Sequence, residues 1–336
     1  MNKKIALILI LVFSLLLSGC SLFGGDEETI DTSSVLLSIG DEKITVNQAI
    51  IFLEGQKSLI DDNYGSDIWD VELAGASFGN YLQGKLKSRI ALVFAGALLA
   101  KSKGYELSSN DMQLVSSASD YYFNKLSSQA KSSLKISQSD IYNLFYSYRL
   151  SYIGYENLLE SEELEVSEDE ARVARFYRIA LTISGLDASA IVDKKATLNE
   201  ALEKAQAGED FYTLASSYSE ITPIEYVVSR DDVDGREEEL LFNMVTDEIS
   251  SVFENEEQIA IFKCVNSYDE SLSAVRREEL ISEKKSGFYT GLLSDYIEQN
   301  PLYWNDDLWE SLDINNISYN LGIGFYDVYD MFFPGE

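Results

Sequence analysis

The chain has 336 residues, enough for two or three domains, and its 57 acidic against 26 basic residues leave a formal charge of −31. That balance argues against nucleic-acid partners and against lying flat on anionic lipid, while it keeps a surface soluble. There is no histidine, which excludes Ser-His-Asp triads, Cys-His dyads, His-ligated zinc and imidazole acid–base catalysis.

Lys3 and Lys4 open the sequence, followed by an apolar run, Ile5 to Leu17. The run is short for a bilayer span and suits the core of a signal peptide. Leu17-Ser18-Gly19-Cys20 comes next and resembles the lipobox of bacterial lipoproteins. The resemblance implies a signal peptide over residues 1–20 and lipidation of Cys20 with palmitate-type chains. It places the protein on the extracytoplasmic face of a bacterial cell membrane. Two or more acyl chains anchor stably where one does not. Residues 21–34 (SLFGGDEETIDTSS) are small, acidic and glycine-bearing, and predict a flexible tether.

Residues 35–165 read as a helical domain. Val35, Leu36, Leu37 and Ile39 form a strand-like run, and Gly40-Asp41 signals a turn. Thr45 or Asn47 caps a helix beginning near Gln48. From Tyr81 to Lys103, Leu82, Leu86, Ile90, Phe94 and Leu98 recur at helical spacing, and Gly104 stops the helix. Ser108 to Asp111 starts the next one. The segments TVNQAIIFL (residues 45–53) and AKSKGYELS (residues 100–108) resemble the corresponding pieces of SurA/PrsA-type chaperone domains. Ser137 or Ser139 caps a helix over Ile141–Leu159 that carries an aromatic stripe. In that stripe, Phe145, Tyr148, Tyr152 and Tyr155 serve either as core or as a groove for unfolded clients. The acidic run Glu160 to Glu170 reads as a solvated joint.

Residues 171–268 begin with ARVARFYRIALTISG, a β-like run. ATLNEALEKAQAGEDFYTLASSYSE follows as two helical pieces joined at Ala207-Gly208. Further on, Ile224–Val228 predicts a strand, Glu237–Met244 a short helix and Glu257–Val265 a closing strand that holds Cys264 in an apolar, buried setting. The order strand, helix, AGEDF, helix resembles the opening of a parvulin-type peptidyl-prolyl isomerase domain. VTDEIS (residues 245–250) and EQIAIFKCV (residues 257–265) resemble the family's "GeiS" turn and last strand. By that alignment the family's two facing histidines fall at Tyr177 or Arg178 and near Ala260. With no imidazole to fill those positions, the resemblance implies a weak or inactive isomerase. Asp231 to Gly235 does not make an EF-hand loop, because Arg230 then occupies the first ligand position. No cofactor and no metal are expected. Cys20 and Cys264 form no CxxC pair.

Residues 274–336 supply an amphipathic helix, Ala274–Gln299, and a tail rich in Tyr, Trp and Phe. In SurA/PrsA-like proteins such a helix returns to the first domain. The resemblance therefore implies an α+β fold: a helical chaperone domain completed by its C-terminal helix, with a parvulin-like α/β domain inserted. The function it implies is a lipid-anchored folding factor binding unfolded or newly secreted polypeptides. The alternatives are an active isomerase working through groups such as Tyr177 and Arg178, and a solute-binding or surface lipoprotein.

Overall fold

The structure is a computed structural model that describes residues 30–73, 75–230, 232–233, 235–315, 317–319 and 321–335. The expected signal peptide, Cys20 and the tether up to residue 29 lie outside the described residues, as do Asp231 and Asp234. The chain divides into two compact units, Met1–Glu162 with Phe288–Glu336, and Glu163–Gly287. The fold is α+β, helix-rich with small antiparallel sheets.

The first unit opens with a hairpin of β1 (Val35–Ile39) and β2 (Glu42–Thr45), turned at Gly40, whose φ is +55°. α1 (Val46–Tyr64) follows, with the Gln48 side chain accepting from the Thr45 amide at 3.0 Å. Its first eight residues are all buried, and the two polar ones among them, Asn47 and Gln48, are hydrogen-bonded to the Leu134 carbonyl and the Thr45 amide. A short hairpin, β3 (Glu72–Leu73) with β4 (Ala76–Ser77), leads to α2 (Phe78–Ser102), capped by the Ser77 hydroxyl. α3 (Ser109–Lys125), α4 (Ser128–Leu134) and α5 (Gln138–Glu160) are each capped by the serine before them. Such caps satisfy amide groups that a helix start leaves without partners. α2 and α5 touch through small residues: a Cβ at Gly154 would stand 2.3 Å from the Ala100 Cβ.

The second unit is a four-stranded antiparallel sheet. Its strands are β5 (Val173–Thr182), β6 (Glu225–Ser229), β7 (Phe253–Glu254) and β8 (Gln258–Asn266), in the order β6-β5-β8-β7. α6 (Ala188–Gln206) and α7 (Phe211–Tyr218) cover one face with Leu198, Ala201, Phe211 and Leu214. α8 (Gly235–Asn243) covers the other with Leu241 and Phe242. The AGED junction is a Schellman motif: the Gly208 amide bonds the Ala205 carbonyl at 3.1 Å and the Glu209 amide bonds the Lys204 carbonyl at 3.1 Å. Gly208 has φ +97° there, a value that glycine adopts without strain. Asp210 then caps α7 through the Thr213 amide at 2.9 Å.

α9 (Glu270–Gln299) begins in the second unit and from Phe288 belongs to the first. The first unit is completed by β9 (Leu302–Trp304), paired with β1, then α10 (Asp306–Glu310) and α11 (Phe325–Phe332). Among the described residues no helix is long and apolar enough to cross a membrane.

Candidate functional site

In the sheet unit, side chains alternate between faces along β5. Phe176 and Ala180 belong to the cluster under α8, whereas Tyr177, Ile179 and Leu181 belong to the α6–α7 side. Tyr177 and Arg178, the two positions offered for one family histidine, therefore project to opposite faces. Tyr177 packs edge-on against Tyr212 at 5.1 Å. Arg178 is buried on the α8 side, so the two cannot act on one substrate group. Ala260 is fully buried opposite Ala180, and the residue facing Arg178 across the strands is Phe262.

Arg178 fills the centre of that face. Its Nε donates to the Pro223 carbonyl at 3.1 Å, and its guanidinium lies 4.4 Å from the Tyr226 ring centre. Tyr226 stacks on Phe262 at 6.0 Å and donates its hydroxyl to the buried Glu237 carboxylate at 3.1 Å. Burial, with the Glu237 charge adding to it, pushes the Tyr226 hydroxyl well above its ordinary value. Phe253, Phe242 and Met244 close the same face. The Arg172 and Arg230 guanidinium groups lie 5.3 and 4.3 Å from the Phe242 ring. The face is thus occupied by the protein's own aromatic and cationic side chains. Beside Arg178 runs a groove of about 390 Å³, lined also by Thr182, Ser184, Ile221, Glu257 and Gln258. Cys264 is a free thiol, fully buried, and burial pushes it above its ordinary value. Neither state suits a nucleophile, which needs an accessible thiolate.

The aromatic stripe of the helical unit has a different surrounding. Phe145 is fully buried and does not line an open groove. Its ring lies 4.5 Å from Phe325 of α11 and 5.9 Å from Tyr122 of α3. Tyr148 is half-buried and meets Phe325, Tyr326 and Tyr329 at 5.3, 6.0 and 4.6 Å. Tyr152 lies under the Arg149 guanidinium at 5.7 Å, and Tyr155 packs edge-on against Tyr289 at 4.8 Å. The structure thus brings Phe145 and Tyr148 together in one cleft, to which α1 contributes Phe52, 5.0 Å from Phe325.

Arg149 fixes one side of this cleft. It bonds Asp111 from Nη2 at 2.7 Å and from Nε at 2.9 Å, and covers the Phe333 ring at 4.6 Å. On α2, Arg89 lies 5.5 Å from the Tyr326 ring. Sequence pattern alone assigns no such role to either arginine, nor to Phe325 and Tyr329. A signal for the latter was present, since Phe325, Val328, Tyr329 and Phe332 recur at helical spacing.

No protein-family profile matches the chain, and no curated protein matches it. Solved structures do. The foldase protein PrsA from Lactococcus lactis is 14% identical, over 83% of this chain and 98% of that one, with a TM-score of 0.36. The peptidylprolyl isomerase PrsA from Bacillus cereus is 13% identical, over 85% of this chain and 100% of that one, at 0.34. A structure from Campylobacter jejuni, from work describing two SurA-like chaperones, is 13% identical over 81% and 98%, at 0.28. The solved structures to which this chain is similar are thus described as PrsA foldases and SurA-like chaperones.

Proposed function

We propose that this protein is a lipid-anchored, extracytoplasmic folding factor that holds newly secreted polypeptides and does not catalyse prolyl isomerisation. The observation that carries this reading is the state of the sheet unit. Its architecture is that of strand, helix, Gly turn, helix and antiparallel sheet, but Arg178, one of the positions that the resemblance assigns to a family histidine, is packed with Tyr226, Phe262 and Glu237 on the face under α8. Isomerisation needs an apolar seat for the ring and polar groups around a twisted amide; X-Pro bonds left alone turn over in tens to hundreds of seconds. Here the Arg178 Nε donor is committed to the Pro223 carbonyl and its guanidinium plane to the Tyr226 ring.

Holding is then the work of the helical domain, residues 35–165 with residues 274–336, around the inserted domain 171–268. The lipobox reading supports anchoring through Cys20 to a bacterial cell membrane. Two assays test the proposal. The protein should suppress aggregation of an unfolded client at stoichiometric amounts, and should leave the isomerisation rate of a proline peptide at its uncatalysed value. A rate rise like that of an ordinary parvulin, or no effect on aggregation, refutes it. Cys20→Ala should release the protein from membranes.

A further inference from the structure

The basic residues of the helical unit are not spread evenly over it. Residues 74–139 hold eight basic and three acidic residues, in a chain of 26 basic and 57 acidic. Residues 288–336, in the same unit, hold nine acidic residues and no basic one. Within the basic stretch, Tyr121 to Ser139 carries Lys125, Lys131 and Lys135 and no carboxylate. It covers the end of α3, all of α4 and the first residues of α5. We propose that this end of the helical unit is a docking surface for anionic phospholipid headgroups, against which the unit rests when its tether holds it at a membrane. The proposal rests on the anchoring through Cys20 proposed above and adds which surface meets the bilayer and which lipid class it selects.

Three observations carry it. First, the chain enters the fold here. Ile30, the first described residue, packs against the core of the unit. Thr32 is buried and donates its hydroxyl to the Leu134 carbonyl at 2.8 Å, at the end of α4. Asp31 pairs with Lys135 at 2.9 Å. Cys20 stands ten residues before Ile30, so even a fully extended tether keeps this entry point within about 35 Å of a lipid on Cys20.

Second, the lysines are available. Lys125 and Lys135 are exposed and Lys131 is half-buried. Lys125 lies 5.4 Å from the Tyr121 ring centre and Lys131 4.5 Å from that of Phe123. Among the described residues these two lysines meet rings and no carboxylate. Basic and aromatic side chains set side by side suit the boundary between water and lipid, where rings sit at headgroup level and ammonium groups meet phosphate. The exposed positions between them, Ser127, Ser128, Gln129, Ser132 and Ser133, are uncharged and put no anion beside a phosphate.

Third, the net charge of −31 does not decide the matter locally. At physiological salt a charge is screened beyond about 8 Å, so a headgroup responds to the side chains around it rather than to the chain's total. The carboxylates that flank the patch in sequence are already engaged. Asp120 accepts from Gln138 Nε2 at 2.6 Å, and Asp140 accepts from the Ser137 amide at 2.8 Å. Three lysines are too few to recruit an acidic protein from solution, but a tether supplies the effective concentration they lack. The same headgroups repel the acidic surfaces, which leaves this end as the one that faces lipid.

The test uses the full lipidated chain in two kinds of vesicle, phosphatidylcholine alone and an equal mixture with phosphatidylglycerol. Hydrogen exchange of the Lys131 and Ile136 amides, both bonded within or just after α4, should be about tenfold slower or more on the mixture. Raising salt to about 1 M, where screening shortens to about 3 Å, should remove the difference. Lys125→Gln with Lys131→Gln and Lys135→Gln should remove it too, while the same three positions changed to Arg should keep it, which separates charge from packing.

Equal exchange on the two vesicles overturns the patch and leaves the anchoring standing. Inorganic polyphosphate that slows the same amides as strongly, with the protein on phosphatidylcholine, overturns the assignment to lipid. An unlipidated Cys20→Ala chain that shows the full slowing on the mixture supports the patch and refutes the anchor as what delivers it, so the two readings fail separately.

Discussion

The Arg178 guanidinium lies over the Tyr226 ring with 4.4 Å between its carbon and the ring centre, on the face of the sheet covered by α8. The contact turns a buried cation into part of the hydrophobic cluster. The ring face offers negative potential, and the Pro223 carbonyl satisfies Nε. Arg178 is thus a structural residue at the place where catalysis is expected by resemblance.

Replacing it should show as much. Arg178→Met keeps the packing volume and removes the ring contact and the Pro223 bond. We expect the sheet unit to lose about 1–3 kcal/mol, read by urea unfolding or hydrogen exchange of β5 and β8. Aggregation suppression should be unchanged.

Asp111 gives the helical unit a dependence on pH. Burial alone would raise its carboxyl, but the Ser108 hydroxyl and the Arg149 guanidinium outweigh burial and hold it below its ordinary value. A carboxyl lowered on folding contributes stability above its unfolded pKa and loses it as pH falls through the folded one. The melting temperature of this unit should therefore drop below about pH 4. Asp111→Asn should flatten that slope and cost about 2–4 kcal/mol at neutral pH, because the buried Arg149 loses the charge of Asp111.

Gly154 reverses the usual rule for helix glycines. Gly to Ala in a helix ordinarily gains up to about 1 kcal/mol. At Gly154 the new methyl meets Ala100 at 2.3 Å, so Gly154→Ala should instead destabilise by about 1–2 kcal/mol once overpacking is set against propensity. Gly84, with open space around it in α2, is the control and should gain. Chemical unfolding of the pair reads both signs.

Asp247, in the turn before β7, has a φ of +73°. Asp, like Asn, tolerates this left-handed region better than most side chains that carry a Cβ. Its amide bonds the Cys264 carbonyl at 2.8 Å and sets the turn against β8. Asp247→Val should cost about 1–2 kcal/mol, with faster exchange of the Asp247 and Cys264 amides, while Asp247→Gly keeps the turn.

Much of this fold is legible in the sequence. The helix read over Tyr81–Lys103 spans Phe78–Ser102, and that read over Ile141–Leu159 spans Gln138–Glu160. Periodicity found the bodies, the caps Ser108 and Ser137 were legible as helix-start serines, and Ser77 alone of these three lay a turn before the start read at Tyr81. Ala207-Gly208 marked the α6–α7 junction because a Schellman turn demands glycine there. The faces of β5 were not legible. A one-residue uncertainty exchanges Tyr177 for Arg178, and the register shift between Arg175 and Phe176 is invisible without the partner strand. β9 and α10 escaped for another reason: each is short, and tertiary contacts rather than local preference hold them. The stripe at Phe145 and Tyr148 was recognised as aromatic, but what covers it lies far along the chain.

That distance has a kinetic side. The helical unit needs both Glu54 and Tyr319, a hydrogen bond between residues 265 apart in sequence. The sheet unit draws on Glu163–Gly287 alone. As the chain emerges from its amino end, the sheet unit has all its strands while the helical unit still lacks β9 and α11. Contacts of such separation form slowly. The helical unit is therefore sealed last, and until α11 arrives its aromatic cleft is open to other chains folding beside it.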